Sequence, residues 1–435
     1  MKKMKKIICF SNIILLLLIV GCSNNENASS EEDMQEPVDY SEPEGTIVWS
    51  SGGLSGLGLR QELIEGFEEQ YPNVNVELEE APSTTNQSQT YYTTTIGGQN
   101  ETPDIYSGDS NWPAQFGNAN IAMDLSNVMP EEFWNRFPET LIDSVTYEGG
   151  IYGAPFYDNI GVLYYREDIL EEAGLPVPST WEELQETSIQ LQEEGYVDYG
   201  FVWQGASYEG LTTNFLEYLR AAGGDVLDED ENVVINSPET EKALSFVKEL
   251  FTSGATPNAV ATFHEDEATN TFSSGSAAFL RNWMSYYGQL QDSDTSAISE
   301  NVGIVPLPAF EGGESNTTQS GWNVFINPNT ENLEASLAFM DYLTGEEAQR
   351  LMVEKHDMIP TNISITEDPE MIQECPILEI YQEAVPTPRP KSPNYNAISE
   401  GIYMNVNDMF VRDRDVKEIL EVMEEQIKSA NESGL

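Results

Sequence analysis

The order of apolar and polar positions along the 435-residue chain predicts strands and helices that alternate. Residues 46–49 (TIVW) form a short apolar run, and a glycine-rich turn (SGGLSGLGLR) follows them. Residues 61–70 carry apolar side chains at helical spacing until Pro72 ends the pattern. Residues 74–78 then alternate with a period of two, as strands do. A strand, a helix and a second strand at this spacing predict a βαβ unit.

The same pattern continues through the rest of the chain. Further apolar runs predict the strands PDIYSGD, IGVLYYR, YGFVWQG, NVGIVPLP and GWNVFINP. Between them, Thr180 and Glu183 stand at the spacing of a capping box, which predicts a helix start. Residues 332–343 and 416–428 each carry an apolar stripe at helical spacing. The pattern therefore predicts an α/β protein. Its body of about 385 residues is too long for one core, so two domains are expected.

The amino terminus has the composition of a targeting segment. Four lysines precede an apolar run at residues 7–20, which is shorter than the roughly 20 residues that span a bilayer. The run ends in LIVGC, which resembles a bacterial lipobox, so residues 1–21 are predicted to be a lipoprotein signal peptide that is removed before Cys22. Cys22 would then carry lipid, and the acidic residues 22–45 would form a disordered tether. This predicts a location on the extracellular face of the membrane, or in the periplasm of a Gram-negative cell.

The charge of the chain excludes some partners. It has 75 acidic against 19 basic residues, a formal charge of −56. Removal of residues 1–21 takes away four lysines and no acid, so the charge of the remaining chain would be −60. Such a surface repels nucleic acid and anionic lipid. An acidic, lysine-poor surface also resembles those of proteins from halophiles, and to a lesser degree alkaliphiles, in which salt screens the repulsion.

The residues that usually carry catalysis or bind metals are few. His264 and His356 lie far apart and display no partners for a catalytic triad or a zinc site. With Cys22 lipidated, Cys375 would stand alone, so no disulfide is expected. The acidic run at residues 225–233 lacks the glycine and the distal glutamate of an EF-hand and predicts a solvated turn. No catalytic residue, metal or cofactor is therefore predicted.

Aromatic residues at predicted strand ends and loops form a more informative set. Sugars present apolar C–H faces, on which flat rings stack, and hydroxyls, which pair with carboxylates and guanidinium groups. The rings and charges that fit this description belong to Trp49, Trp112, Trp203, Trp283, Trp322, Tyr157, Tyr286, Tyr287, Tyr395, Asp109, Asp158 and Arg389. The glycine-rich turn before the first helix fits either a tight turn or close backbone approach to a ligand.

The order of motifs along the chain resembles a known family. The motifs are the lipobox and tether, TIVWSSGGLSG, FEEQYPNVNVE, TPDIYSGDSNW, YGAPFYDNIGVLYYR, VPSTWEELQE, FSSGSAAFLRNW, VGIVPLP, SGWNVFINPNTENLEASLAFMDYLTGEEAQ and RPKSPNY. Over residues 46–430 the chain resembles an extracellular solute-binding protein of family 1, the sugar-binding subunit of an ABC importer. The stretch FVWQGASYEGLTTNFLEYLRAAGGD resembles the trehalose/maltose-binding branch.

The resemblance implies a two-lobed periplasmic-binding-protein fold of type II with the ligand in the cleft between the lobes. Residues 46–154 and 306–357 would form lobe 1, and residues 156–304 and 358–430 would form lobe 2. Chain crossings are expected near residues 154–155, 305–306 and 358–360. The resemblance further implies a monomer that binds an oligosaccharide and docks on the transmembrane subunits of a permease.

The resemblance also implies the ligand-binding residues. Carried over by matching motifs, they are Asp109, Tyr157, Asp158, Trp283, Tyr286, Gly321, Trp322 and Arg389, with Ser55 as a further candidate in the first loop. The extra residue in Met284-Ser285 puts Tyr286 out of the usual spacing, and Trp112 and Trp203 fit core packing equally well. Two alternatives stay open: a secreted glycoside hydrolase with a carboxylate pair, and a receptor for a peptide, a polyamine or an anion.

Overall fold

The computed structural model describes residues 37–52, 56–82, 84–228 and 230–432. Its strands are β1 (Gly45–Ser51), β2 (Val74–Glu80), β3 (Ile105–Asp109), β4 (Thr146–Tyr147), β5 (Gly150–Ile151), β6 (Ala154–Arg166), β7 (Tyr199–Val202), β8 (Ala277–Trp283), β9 (Val302–Val305), β10 (Thr317–Ile326), β11 (Ile359–Pro360) and β12 (Pro386–Pro388).

The helices surround these strands. They are α1 (Gly56–Gln70), α2 (Thr85–Gly97), α3 (Pro113–Asn118), α4 (Glu131–Trp134), α5 (Glu139–Val145), α6 (Glu167–Ala173), α7 (Trp181–Glu193), α8 (Glu209–Ala221), α9 (Pro238–Thr252), α10 (Glu265–Ser273), α11 (Tyr287–Gln291), α12 (Leu333–Leu343), α13 (Glu346–His356), α14 (Ile363–Thr366), α15 (Pro369–Glu374), α16 (Pro376–Glu383), α17 (Tyr395–Val411) and α18 (Val416–Glu432). Short 3₁₀ turns cover Asn258–Thr262, Met284–Tyr286 and Ser299–Asn301.

The predicted elements are confirmed, and most are longer than their sequence signals. The βαβ unit is β1, α1 and β2, in which β1 and β2 pair in parallel. Thr180 and Glu183 form the predicted capping box at the start of α7. Within the acidic run at 225–233, an isolated antiparallel bridge joins Leu227 to Val233, which fits the predicted turn. The largest difference is β6, which begins at Ala154, six residues before the run IGVLYYR that predicted it.

The long strand β6 joins two groups of strands in one mixed sheet. The order of hydrogen-bonded neighbours is β2-β1-β3-β10-β6-β8-β7, with β9 and β11 also on β6 and β12 on β10. The first part of β6, up to Ile160, pairs with β10. Its second part, from Gly161, pairs with β8. One strand therefore carries side chains into both groups.

Buried side chains form separate clusters on the two sides of this change of partner. One cluster takes most of its members from residues 160–310 and 353–430. A second takes its members from residues 47–157 and 324–358, and a smaller aromatic cluster lies beside it. Trp49, Trp112 and Trp203 are all buried within these clusters, so their rings pack the core.

The end of the predicted tether already belongs to the folded body. The backbone N–H of Val38 donates to the carbonyl of Val128 at 3.0 Å. Tyr40 packs against the second core cluster. The prediction of disorder up to residue 45 is therefore wrong for residues 38–45. Val38 and Tyr40, two apolar side chains within the acidic segment, pack against the second core cluster and hold this part of the chain on the body. Cys22 and the signal peptide lie outside the described residues.

Candidate ligand-binding site

The register of three neighbouring strands brings most of the predicted site residues together. In the antiparallel pairing of β3 with β10, Trp322 stands opposite Asp109. In the pairing of β10 with β6, Trp322 stands opposite Tyr157 and Gly321 opposite Asp158. Residues directly opposite one another on adjacent strands lie about 4.5–5.5 Å apart. Sheet pairing alone therefore places these five residues around one point.

Gly321 permits this close approach. Its φ is +123°, a conformation that side-chain-bearing residues rarely adopt, and a Cβ there would lie 2.4 Å from the carbonyl oxygen of Tyr157. The Gly321 carbonyl accepts a hydrogen bond from the N–H of Ser110 at 3.1 Å. The register shifts just beyond, between Trp322 and Asn323. Gly321 therefore lets β10 approach β6 closely at this point, and this role does not depend on contact with a ligand.

A cavity of about 180 Å³ opens beside this point. Four of the predicted residues line it: Tyr157, Asp158, Trp322 and Arg389. Its wall also includes polar side chains that the sequence did not single out, among them Ser110, Asn111, Gln319, Ser320 and Asn323, and apolar groups from Pro113, Ala114, Leu141 and Pro155. The wall therefore combines one indole, several amides and hydroxyls, and fixed charges.

Arg389 is the most constrained charged group of the wall. Its guanidinium forms an ion pair with Asp109, 280 residues away in sequence, and a second with Glu209 at 2.9 Å. It also donates to the hydroxyl oxygen of Ser110 at 2.8 Å. Burial lowers the pKa of Arg389, but the opposite effect of Asp109 and the other acidic neighbours is larger, so its pKa is raised overall and the group stays charged.

Glu209 is a site residue that sequence reasoning missed. Besides Arg389, its carboxylate accepts hydrogen bonds from the hydroxyls of Tyr395, at 2.7 Å, and Ser399. Burial raises the pKa of Glu209, and Arg389 opposes that rise. An acidic residue in the first turn of a helix is ordinary in any sequence. The sequence pattern around Glu209 therefore gave no signal that this carboxylate would meet Arg389.

Asp158 is buried, with 2% of its surface exposed, and its oxygens have protein partners. It accepts hydrogen bonds from Gln319 at 2.9 Å, from the hydroxyl of Tyr381 at 2.5 Å and from the N–H of Asn159 at 2.8 Å. Burial raises the pKa of Asp158 to about 6, although these hydrogen bonds lower it. The carboxyl is therefore held rigidly at the cavity wall.

Trp283, at the end of β8, and Tyr286, in the turn after it, are not among the residues that line this cavity, and both bind the first turn of α10. The indole N–H of Trp283 donates to Glu265 at 3.3 Å, and the guanidinium of Arg281 lies 4.2 Å from the ring centroid. The hydroxyl of Tyr286 donates to Asp266 at 3.4 Å. Their contact with a ligand stays a prediction. Ser55 lies outside the described residues.

Three buried polar atoms of the cavity wall lack a protein partner. They are Oδ1 of Asn111, Nδ2 of Asn323 and Nε of Arg389, which find no hydrogen-bond partner among the described residues. A buried polar atom without a partner costs about 1–3 kcal/mol. The residues of the wall therefore include one acceptor and two donors without a partner among the described residues, and hydroxyl groups, which both donate and accept, have the chemistry to satisfy them.

The described residues offer little for metal binding or membrane spanning. They contain no group of three or more His, Cys, Asp or Glu side chains that could hold a metal ion. Nor does any helix among them have the length and apolarity to cross a bilayer.

Comparison with known proteins identifies the family. Residues 54–350 match the family model described as bacterial extracellular solute-binding protein. A probable ABC transporter-binding protein of Deinococcus radiodurans is 29% identical over 364 residues, which cover 81% of this chain and 86% of that protein. A maltotriose-binding protein of Pyrococcus abyssi is 22% identical over 392 residues, 88% of this chain and 81% of that protein.

Similarity to solved structures extends over almost the whole body. The maltose-bound MalE3 protein of T. maritima has a TM-score of 0.81 and 33% identity, and covers 88% of this chain and 99% of its own. This confirms the α/β, two-lobed periplasmic-binding-protein fold. The relatives are binding proteins of transporters, so the hydrolase alternative is set aside and the protein is not an enzyme. By sequence and by fold, the chain belongs to the bacterial extracellular solute-binding protein family.

Proposed function

We propose that this protein is the carbohydrate-binding subunit of an ABC importer, and that it takes a glucoside such as trehalose, maltose or a maltooligosaccharide into the cavity beside Trp322. The observation that carries the proposal is the set of three buried, unpartnered polar atoms on Asn111, Asn323 and Arg389 next to one indole face. Sugar hydroxyls would satisfy these atoms, and the apolar C–H face of the sugar would stack on the indole.

The charges of the wall favour a neutral ligand. Arg389 is already neutralised by Asp109 and Glu209, and Asp158 has three protein donors. Asp158 has no cationic partner, but these donors satisfy its oxygens. The other two charged residues of the wall, Lys391 and Asp143, are opposite in sign, and Lys391 Nζ donates to the Asp143 carbonyl at 2.9 Å. A polyhydroxylated neutral molecule can instead use the remaining hydrogen-bonding capacity of the amides and of Arg389 Nε.

The similarities support the same ligand class. The solved structure of 33% identity contains maltose, and one relative is named as a maltotriose-binding protein. Maltose and maltooligosaccharides are proposed on these similarities, whereas trehalose is proposed on the sequence resemblance alone.

Binding would couple to closure of two lobes. Residues 46–154 and 306–357 would move as one lobe, and residues 156–304 and 358–430 as the other. The separate core clusters support this division except near its boundaries, where Leu307, Phe310 and Val353 pack in the cluster of the second lobe, and Phe156, Tyr157 and Met358 in that of the first. Because a ligand shifts the equilibrium only by its differential affinity for the two states, the sugar must bind the closed state more tightly. The closed monomer, anchored by lipid on Cys22, would then dock on the permease.

A ligand panel read by thermal shift and tryptophan fluorescence tests the proposal. A sugar present at 100 times its dissociation constant adds about 2.7 kcal/mol to the unfolding free energy, which is a readily measured rise in Tm. Trehalose, maltose, maltotriose and monosaccharides form one arm of the panel; a peptide and a polyamine form the other. A rise with the peptide or the polyamine and none with any sugar would refute the proposal.

A further inference from the structure

The segment that carries Arg389 has an unusual backbone. Prolines occupy positions 386, 388 and 390, so Thr387 and Arg389 are the residues of this stretch that retain an N–H. The strand β12 (Pro386–Pro388) pairs in parallel with β10, with Pro388 opposite Gln319. Proline cannot donate to the ladder, so such a strand has few hydrogen bonds of its own to fix its position.

Arg220 fixes this segment through its carbonyl groups instead. Its guanidinium donates to the carbonyl of Thr387 at 3.0 Å and to the carbonyl of Pro388 at 2.7 Å, the two residues directly before Arg389. The side chain is 7% exposed and also lies 3.6 Å from a carboxylate oxygen of Asp225. A planar guanidinium that binds two successive carbonyls fixes both their position and their orientation.

Helix α8 (Glu209–Ala221) therefore holds this segment at both of the helix's ends. Arg220, near its last turn, binds the backbone before Arg389, while Glu209, its first residue, binds the Arg389 guanidinium at 2.9 Å. Eleven residues at about 1.5 Å each place the Cα atoms of Glu209 and Arg220 roughly 16 Å apart, and both side chains reach to the same segment from the two ends of the helix. The helix is itself fixed on β10, where the Thr318 hydroxyl donates to the Thr213 carbonyl at 2.9 Å.

We propose that Arg220 is a positioning residue for ligand binding: by holding the carbonyls of Thr387 and Pro388, it sets the reach of Arg389 so that its guanidinium spans Asp109 and Glu209 at the cavity. The ligand-binding part of this inference rests on the proposed function, whereas the positioning part concerns the protein alone. Arg220 is not among the residues that line the cavity, whereas Pro388 and Arg389 are, so its effect on a ligand passes through the segment that it holds.

The test combines Arg220→Met with Arg389→Met and a matched control. Methionine keeps an unbranched apolar stem and removes the donors. The control is Arg412→Met, which removes an exposed arginine that pairs with Asp408 and is 71% exposed. Arg220→Lys keeps the charge but loses the forked geometry. Two readouts are needed on the full chain: hydrogen exchange of the Thr387 and Arg389 amides without ligand, and sugar titration.

Without ligand, Arg220→Met should speed exchange of the Thr387 and Arg389 amides by about tenfold, while Arg412→Met leaves it unchanged. With maltose, Arg220→Met should raise Kd about tenfold in the wild-type background and change it less than about twofold in the Arg389→Met background. Arg220→Lys should fall between wild type and Arg220→Met in both readouts.

The outcomes separate the two proposals. Unchanged exchange in Arg220→Met overturns the positioning role, whether or not a sugar binds. An equal loss of affinity in both backgrounds overturns it as well, because the effect would then not pass through Arg389. If exchange responds as expected but wild-type protein binds no sugar, the proposed function fails and the positioning of Arg389 by Arg220 stands.

Discussion

Replacing Trp322 by alanine separates a binding role from a packing role at one position. Trp322 lies on β10 between Asp109 and Tyr157, lines the cavity, and is only partly buried. Its ring contacts that of Trp112, with centroids 6.3 Å apart. Trp322→Ala removes the one indole that faces the cavity and leaves the charged groups around it in place.

The expected loss of sugar affinity is about 2 kcal/mol or more, the usual cost of truncating an aromatic hot spot, which corresponds to roughly a 30-fold rise in Kd. The expected loss of stability is smaller than the about 3–5 kcal/mol that deletion of a fully buried tryptophan costs. Trp112 supplies that reference, because it is 1% exposed and packs against Tyr92 and Phe116.

Isothermal titration with the sugar chosen from the panel measures the first quantity, and urea unfolding without ligand measures the second. Trp112→Ala should lose stability far more than Trp322→Ala, and Trp322→Phe should recover part of the affinity because a smaller flat ring remains. If Trp322→Ala unfolds as readily as Trp112→Ala, the ring belongs to the core. If it binds sugar as wild type does, stacking on Trp322 is wrong.

Three further outcomes follow from buried charge and net charge. The side chains of the Glu217–Arg281 ion pair are 1% and 0% exposed. Glu217→Ala should therefore lower the unfolding free energy measured in urea by about 3–5 kcal/mol, because it leaves Arg281 buried without its partner. The control Glu65→Ala, at an exposed position, should change it by almost nothing, and equal losses in the two variants would contradict a buried pair. Burial raises the pKa of Asp158 to about 6 from 3.8, so the native state binds this proton more tightly than the unfolded state. Its contribution to stability is therefore full below about pH 4 and is lost as pH rises through about 6. The unfolding free energy of Asp158→Asn minus that of wild type should increase by about 2 kcal/mol from pH 4 to pH 7, and a difference independent of pH refutes the shift. Finally, the formal charge of −56 predicts a Tm that rises from dilute buffer to about 1 M NaCl or KCl, because the Debye length falls to roughly 3 Å and the repulsion between carboxylates is screened. Sugar affinity should change less over the same salt series. A Tm that does not change would require another explanation of the acidity.

Local chemistry made the elements of this fold readable from sequence. The capping box at Thr180 and Glu183 was found where the spacing placed it, since both hydrogen bonds lie within four residues of chain. Helix α18 was found from its apolar stripe, since its core-facing residues recur at helical period. The extent of β6 was not readable, because a strand ends where its partners end, and those partners come from distant parts of the chain.

The tertiary structure decided which side chains meet. Asp109 and Arg389 could be proposed from motifs, but Glu209 joins them only because α8 packs on β10 and brings its first residue to Arg389, 180 residues away in sequence. The same holds for Trp112 and Trp322, two tryptophans that the sequence placed at similar strand ends: one is buried in an aromatic cluster and one faces the cavity. Periodicity and capping act between near neighbours, so the sequence by itself determined the elements and their fold class. Burial and charge pairing act between elements, so only the folded chain could assign each ring and each carboxylate to core or to site.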